Sequence, residues 1–479
     1  MDDGLHLKVF TPEQIDAIHD RCLAFLETKG VTVAHPRGAR LLADAGAHVD
    51  HSNQVVRFPA DVIETALRIV PRTFSLASSG GHPESVLPHP DGLFYRLGNT
   101  GEPEYLDPGS STIRPLLRSD VAHWAQLLEA LDDIALAATP FATDVPEPVA
   151  DVCGIKTLFE NTTKHVMIHP YSLESLPYLF ELGEVMAGGN GALKRRPVIS
   201  MIICALSPFT FKEMDIEALV LSARHGVPMH LFSLPLAGAT SPVSLAGTIL
   251  QMGIEILALV VMSQLIEPGA KVIACPFAFT LDMGTGRNLQ ASIEAMQIAA
   301  GAVQFFRETC HVPTHYEPGA DSHVPDGHAQ IEKSLSGLMA ARAGCSILGG
   351  AGQLDVIRVS SPIQLIIDND LVGVLRRLCS PIEVDDDYLA WADMLDIGPG
   401  ATYLERRHTL NHCREALRPP FLATLSRDTW LGEGAKDLDV RAMERYAELT
   451  KVLKRVELPD ERQRELDRIE GEARRKLVE

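Results

Sequence analysis

The stretch Lys271–His323, KVIACPFAFTLDMGTGRNLQASIEAMQIAAGAVQFFRETCHVPTHYEPGADSH, decides how the chain folds. It opens on a near-continuous apolar run that stops in a Gly-rich turn. A helix-period segment follows (Asn288–Cys310), and then a second apolar run ends in the polar, Pro/Gly-punctuated loop after His315. Apolar runs with no inside/outside alternation, separated by helices, describe parallel strands buried on both faces. The same rhythm recurs in residues 133–144, 164–172, 197–209, 227–242 and 345–361. With the two runs at 271–286 and 311–323 this makes seven strand–helix units. An eighth comes from either LFYRLGNTGEP (93–103) or SPIEVDDD (380–387). The expected fold is α/β, a (β/α)8 TIM-type barrel with an N-terminal α/β cap and C-terminal helices. A doubly wound open sheet is the alternative, disfavoured because no G-x-G-x-x-G turn stands at a strand-to-helix junction.

The flanks read differently. Thr11-Pro12-Glu13-Gln14 has the N-cap, N1 and N3 residues of a capping box, and Gly30 is placed to close that helix. A helix near 37–45, a strand at Val55–Pro59 and a helix over 60–70 complete a cap segment, residues 1–90. The barrel is expected over 91–400 and a helical segment over 401–479, whose last twenty residues are nearly devoid of apolar side chains and read as a solvated or partner-facing helix.

Composition narrows the function. With 43 Lys+Arg against 63 Asp+Glu the net charge is −20, which repels nucleic acid and anionic membranes. The start MDDGLHLKVF has no basic or apolar leader pattern. Leu245–Ser263 is nearly long enough to span a bilayer but contains Gln251 and Glu255, so a buried helix is expected rather than a membrane span. The eight cysteines are spread singly, with no C-x-x-C pair, which fits reduced thiols and a cytoplasmic chain.

In a barrel the chemistry lies at the C-terminal ends of the strands. The substrate-binding candidates there are His169, Phe209, Phe279, Tyr316, Glu317, Asp321 and Gln353; no catalytic residue is singled out. His311, His315, Glu317 and His323 offer a metal set, but residues four apart on a strand are separated by about 13 Å, and H-E-x-x-H is absent. No metal is therefore expected. Asp326 reads as the cap of the helix that starts near Gly327, and His230, inside an apolar run, as a core residue.

Four stretches carry a family resemblance: FTPEQIDAIHDRCLAFLETKGV (Phe10–Val31), PLAGATSPVSLAG (Pro235–Gly247), ADSHVPDGHAQIEKSLSGLMAARAGCSILGGAG (Ala320–Gly352) and the segment His408–Leu453. In order and spacing they resemble the trimethylamine methyltransferase (MttB) family, barrel enzymes that pass a methyl group from an amine to a corrinoid protein. The founding enzyme contains pyrrolysine; this sequence shows none, so it resembles the branch that includes glycine betaine methyltransferases. The resemblance implies a quaternary amine donor, a cobalamin (corrinoid) carried by a partner protein, and room for a homo-oligomer. Aromatic rings at the strand ends suit a tetraalkylammonium by cation–π contact. Carnitine, choline, proline betaine and sulfonium donors fit the same chemistry. Two other readings stand beside it: a metal-dependent barrel hydrolase using His311, His315 and His323, and a non-enzymatic betaine-binding protein.

Overall fold

The computed structural model describes residues 6–98, 101–417 and 425–479. Part of the fourth resemblance stretch, residues 418–424, therefore lies outside the described residues. Eight parallel strands follow one another around a barrel in chain order: β1 (Tyr95–Gly98), β2 (Ile134–Ala138), β3 (His165–Ile168), β4 (Ile199–Ala205), β5 (Met229–Ser233), β6 (Val272–Pro276), β7 (His315–Tyr316) and β8 (Ile347–Ala351). Neighbour pairs run from β1–β2 to β5–β6, and β7–β8 and β8–β1 complete the other side. A parallel bridge between Ala274 and Thr314 closes β6 on β7. The closed ring excludes the open sheet, and the eighth strand is the run at 93–103. Residues 380–387 form no strand, and 381–387 lie exposed.

A helix follows each strand: α1 (Arg118–Ala130), α2 (Ala150–Phe159), α3 (Leu176–Ala187), α4 (Glu213–His225), α5 (Leu245–Ile266), α6 (Ile293–Thr309), α7 (Gly327–Arg342) and α8 (Pro362–Cys379). Helix α5 is long and apolar enough to cross a membrane, but its most apolar window is 78% buried inside the fold. Its low amphipathicity follows from its position, since the N-terminal helix Pro12–Thr28 covers its outer side. That outer helix starts on the expected capping box at Thr11 and Gln14. Gly30 then takes φ +73°, where any Cβ would lie 2.2 Å from the Val56 carbonyl oxygen. The cap adds a small sheet of Val31–Val33, His48–Asp50 and Val55–Arg57, extended by Thr210–Phe211 from the loop after β4.

The last helix, Asp460–Leu477, corrects the expectation of a solvated end. It packs on α3 and α2. Leu466, Ile469, Glu470 and Ala473 form a narrow buried stripe at helical spacing. Glu470 at its centre meets Arg118 at 2.6 Å and Lys156 at 3.1 Å. Between α8 and the helix Leu438–Leu449, the described part of the chain forms an outer arm in which Ile382, Leu404 and Leu410 are exposed.

Candidate active site

Strand alternation turns His165, His230, Cys275 and His315 into the barrel, where all are buried. They form a continuous polar chain. His165 Nδ1 lies 3.0 Å from the Ala77 carbonyl and its Nε2 lies 2.9 Å from Ser200 Oγ. Ser200 Oγ lies 3.0 Å from His230 Nε2, and His230 Nδ1 lies 3.1 Å from His315 Nδ1. Burial holds all three rings neutral: it lowers His165 to about 4, His230 well below its ordinary value and His315 to about 3.

Above this chain, at the C-terminal ends of the strands, sit two buried carboxylates. Glu317 follows β7 and Glu102 follows β1. Burial pushes Glu317 up to about 7, against the pull of Arg96, Gln353 and Lys333. Burial likewise pushes Glu102 up to about 8, with the Glu317 charge adding to it. Gln353 Nε2 donates to Glu102 Oε1 at 3.1 Å. Gln290 Nε2 donates in turn to Gln353 Oε1 at 2.8 Å and to the Glu317 carbonyl at 3.2 Å. Glu102 Oε2 and Glu317 Oε1 are left buried without a hydrogen-bond partner among the described residues.

The cations beneath them are committed elsewhere. Lys333 Nζ, reaching in from α7, donates to the Gly350 carbonyl at 2.8 Å and the Pro318 carbonyl at 3.3 Å, and pairs with Asp368 at 3.0 Å. Arg96 of β1 donates to the Leu348 and Gly349 carbonyls and stands 3.5 Å from Asp368. These bonds tie the ends of β7 and β8 together. The strand ends come so close that a Cβ on Gly349 would lie 2.5 Å from His315 Nε2 and 2.7 Å from Glu317 Cγ.

The facing wall comes from the loops after β2, β3 and β4. Phe141, His169, Tyr171 and Lys212 line a cavity of about 650 Å³, whose lining includes neither Glu102 nor Glu317. The Tyr171 ring lies 5.0 Å from Phe141, tilted, and 5.5 Å from His169, edge-on. The Phe141 amide donates to the Glu102 carbonyl at 2.9 Å, which joins this wall to the carboxylates.

The structure thus gathers Glu317 and Gln353, sets His169 in the facing wall, and leaves Phe279 half-buried beside Phe277 at 5.0 Å. Three expected binding residues are placed otherwise. Phe209 packs its ring on Phe25 of the N-terminal helix at 4.5 Å. Tyr316 points opposite to His315 and Glu317 by strand alternation, edge-on to Phe277. Asp321 is occupied by the Gln290 and Ala291 amides at 2.8 and 3.2 Å. Asp326 caps α7 as expected, accepting from the Ala329 amide at 3.0 Å. The metal set of the hydrolase reading does not assemble: exposed His311 bonds the Arg307 carbonyl, and His323 pairs with Asp355 at 2.8 Å.

Comparison with known proteins agrees with this barrel. Residues 4–477 match the model of the family described as trimethylamine methyltransferase (MTTB). The chain belongs to that family. It is 30% identical over 445 residues to the trimethylamine methyltransferase MttB of Desulfitobacterium hafniense (strain DSM 10664 / DCB-2), covering 92% of this chain and 89% of that protein. It is 27% identical over 431 residues to the glycine betaine methyltransferase of Desulfitobacterium hafniense (strain Y51), covering 89% and 88%. The fold is also that of the monomethylamine methyltransferase MtmB of Methanosarcina barkeri, with a TM-score of 0.54, 13% identity and 93% of each chain covered.

Glu102, Gln290, Arg96, Lys333 and Asp368 were not among the residues singled out from the sequence. Glu102 stands inside one of the two stretches offered for the eighth strand, and its carboxylate is the one available signal. Lys333 and Asp368 sit within helical segments, where a charged residue is ordinarily solvated.

Proposed function

We propose that this family member moves a methyl group from a quaternary ammonium donor, glycine betaine or a similar betaine, to the Co(I) corrinoid of a partner protein. The observation that carries this reading is the pair of free carboxylate oxygens, Glu102 Oε2 and Glu317 Oε1, buried at the mouth of the barrel. Burying two such oxygens is costly, and a cation seated between them offsets that cost. A tetraalkylammonium suits the position because it has no N–H to place and is stabilised by charge and by ring faces. Each cation–π contact contributes roughly 0.5–2 kcal/mol, and Phe141, Tyr171 and Phe279 are the available rings. The betaine carboxylate is assigned to the facing wall, where His169 and Lys212 supply donors.

A quaternary donor releases a neutral tertiary amine when its methyl leaves. The site therefore needs no acid to protonate the leaving group, and its work is orientation and exclusion of water. The open face of the cavity, at the strand C-termini, is the side from which a partner protein reaches the donor. When docked there, the corrinoid supplies the Co(I) nucleophile that takes the methyl group. The 27% identity to a glycine betaine methyltransferase supports the donor class; the 30% identity to a trimethylamine methyltransferase favours a tertiary amine as the second reading. Self-association is assigned in this reading to the outer arm that carries Ile382, Leu404 and Leu410.

The test is a spectroscopic screen of methyl donors against Co(I) cobalamin with purified protein. Methyl-cobalamin is expected from at least one quaternary ammonium or sulfonium and none from trimethylamine. Turnover of trimethylamine alone selects the second reading. Donor binding with no methylation, in the presence of a corrinoid protein, makes the chain a betaine-binding protein.

A further inference from the structure

We propose that His230, Cys275 and His315 form a zinc-class metal site inside the barrel, beneath the donor pocket. The three residues project from the adjacent strands β5, β6 and β7, and each is buried. Their ligand atoms lie close together. His230 Nδ1 and His315 Nδ1 are 3.1 Å apart, and Cys275 Sγ lies 3.9 and 3.6 Å from them. Zinc binds histidine nitrogen at about 2.0–2.1 Å and thiolate sulfur at about 2.3 Å. A tetrahedral centre with those bonds has an N–N edge of about 3.3 Å and N–S edges of about 3.6 Å. Shifts of about 0.3 Å or less, within side-chain freedom, bring the trio to those edges.

The hydrogen-bond chain behind the trio fixes where its lone pairs lie. The Ala77 carbonyl only accepts, so His165 carries its hydrogen on Nδ1 and, being neutral, accepts at Nε2. Ser200 therefore donates to His165 and accepts from His230 Nε2–H. His230 is left with a bare Nδ1 aimed at His315 and Cys275. That is the tautomer and orientation a metal-bound histidine acquires from the groups around it.

The second histidine supplies an independent observation. His315 Nε2 and Glu317 Oε1 are both buried, both lack a hydrogen-bond partner, and stand 3.7 Å apart. A metal on His315 Nδ1 puts the ring hydrogen on Nε2, directed at that carboxylate, the carboxylate–histidine–metal arrangement. Both orphan atoms then gain a partner after a shift of about 0.7 Å to ordinary hydrogen-bond length. Binding releases one proton to solvent, that of the Cys275 thiol, whose sulfur binds as thiolate. Three protein ligands leave one position of a tetrahedral ion for a small ligand. Glu102 keeps its free oxygen for the donor whether or not the metal is bound.

The experiment uses the whole chain produced with added zinc, dialysed, and measured for metal content with neither donor nor corrinoid present. About one zinc per chain is expected. Cys275→Ser and His230→Gln should each abolish retention while the far-ultraviolet circular dichroism stays that of the parent. Exchange of the parent for Co(II) should give a thiolate-to-cobalt charge-transfer band together with the intense visible bands of tetrahedral cobalt, so a variant that fails to fold leaves the proposal testable. Zinc far below one equivalent with no cobalt spectrum, or zinc retained equally by both folded variants, overturns the site. The trio is then a hydrogen-bonded link in the chain from Ala77 to Glu317. Both proposals draw on Glu317 Oε1, but none of these readouts measures methyl transfer, so failure of the metal site is told apart from failure of the proposed reaction.

Discussion

Replacing Lys333 by Met should be among the most damaging changes in the barrel that leaves the candidate site's own side chains untouched. Lys333 and Asp368 are both buried, at 1% and 0% exposure, and their 3.0 Å contact is the closest ion pair Asp368 makes. Removing one partner of a buried pair costs about 3–5 kcal/mol, because the other charge stays in a low-dielectric site. Asp368 keeps Arg96 at 3.5 Å and the Gly352 amide at 2.7 Å, which puts the expected loss at the lower end, about 3 kcal/mol. The Met side chain fills most of the vacated volume, so little of the loss comes from a cavity. Two carbonyls, of Pro318 and Gly350, also lose a donor. They belong to the ends of β7 and β8, which carry Glu317 and Gln353, so catalysis should fall as well as stability. Urea denaturation followed by circular dichroism measures the first effect. The double variant with Asp368→Asn should be less destabilised than the sum of the single variants by ~1 kcal/mol or more. A loss below ~1 kcal/mol for Lys333→Met, or strict additivity, would refute the idea that this pair organises the site.

Glu317→Gln should raise the KM of a quaternary donor about tenfold, equivalent to ~1.4 kcal/mol, with an unchanged circular dichroism spectrum; unaltered kinetics would make Glu317 part of the scaffold. Gly349→Ala should cost activity out of proportion to stability. Its methyl group would displace His315 and Glu317 by about 1 Å, and a misplacement of that size can cost about 100-fold in rate; full activity would show that the strand ends yield freely. Burial raises the Glu102 carboxyl from its ordinary 4.5 to about 8. The folded chain therefore holds a proton there that the unfolded chain has lost, and stability should fall as pH rises from about 4.5 to 8. Glu102→Gln should flatten that slope, and donor affinity in the parent should rise as pH passes through about 8, where the carboxylate of the folded chain forms; a slope unaffected by the substitution assigns it to another group. Glu470→Ala should loosen the helix Asp460–Leu477 from α2 and α3, making the C-terminus an early site in limited proteolysis, since Arg118 and Lys156 lose their shared carboxylate.

The barrel was legible because its signal is one-dimensional. A strand buried on both faces must be apolar along its whole length, and a crossover helix must separate it from the next parallel strand, so the rhythm of residues 133–361 states the topology without reference to any contact. The eighth strand was ambiguous for the same reason. Tyr95–Gly98 is short and carries Arg96 in its middle, and only the Asp368 and Glu317 side chains, more than two hundred residues away, explain why an arginine belongs there. The C-terminal helix reads as solvated because three buried small or aliphatic residues, Leu466, Ile469 and Ala473, are too few to show against twelve charged residues in Asp460–Leu477 that face away or pair across the interface.

The site divides along the same line. Glu317 and Gln353 stand out in the sequence because they follow apolar runs, the one local mark of a strand C-terminus. Phe209, Tyr316 and Asp321 satisfied that mark equally well, yet one packs on the cap, one points away from the lumen and one binds two amides. Which way a side chain turns depends on register and loop path, and a shift of a single residue reverses it. The partners that decide Glu317's environment, Glu102, Gln290, Arg96 and Lys333, come from four other elements of the fold. A carboxylate becomes a cation-binding group when its neighbours bury it and withhold their own charges. In this barrel Lys333 and Arg96 give their hydrogen bonds and close ion pairs to carbonyls and Asp368, and act on Glu317 only through a charge that burial outweighs. Freeing those two cations, as Asp368→Asn would, should therefore weaken donor binding even though Asp368 touches neither the cavity nor the carboxylates.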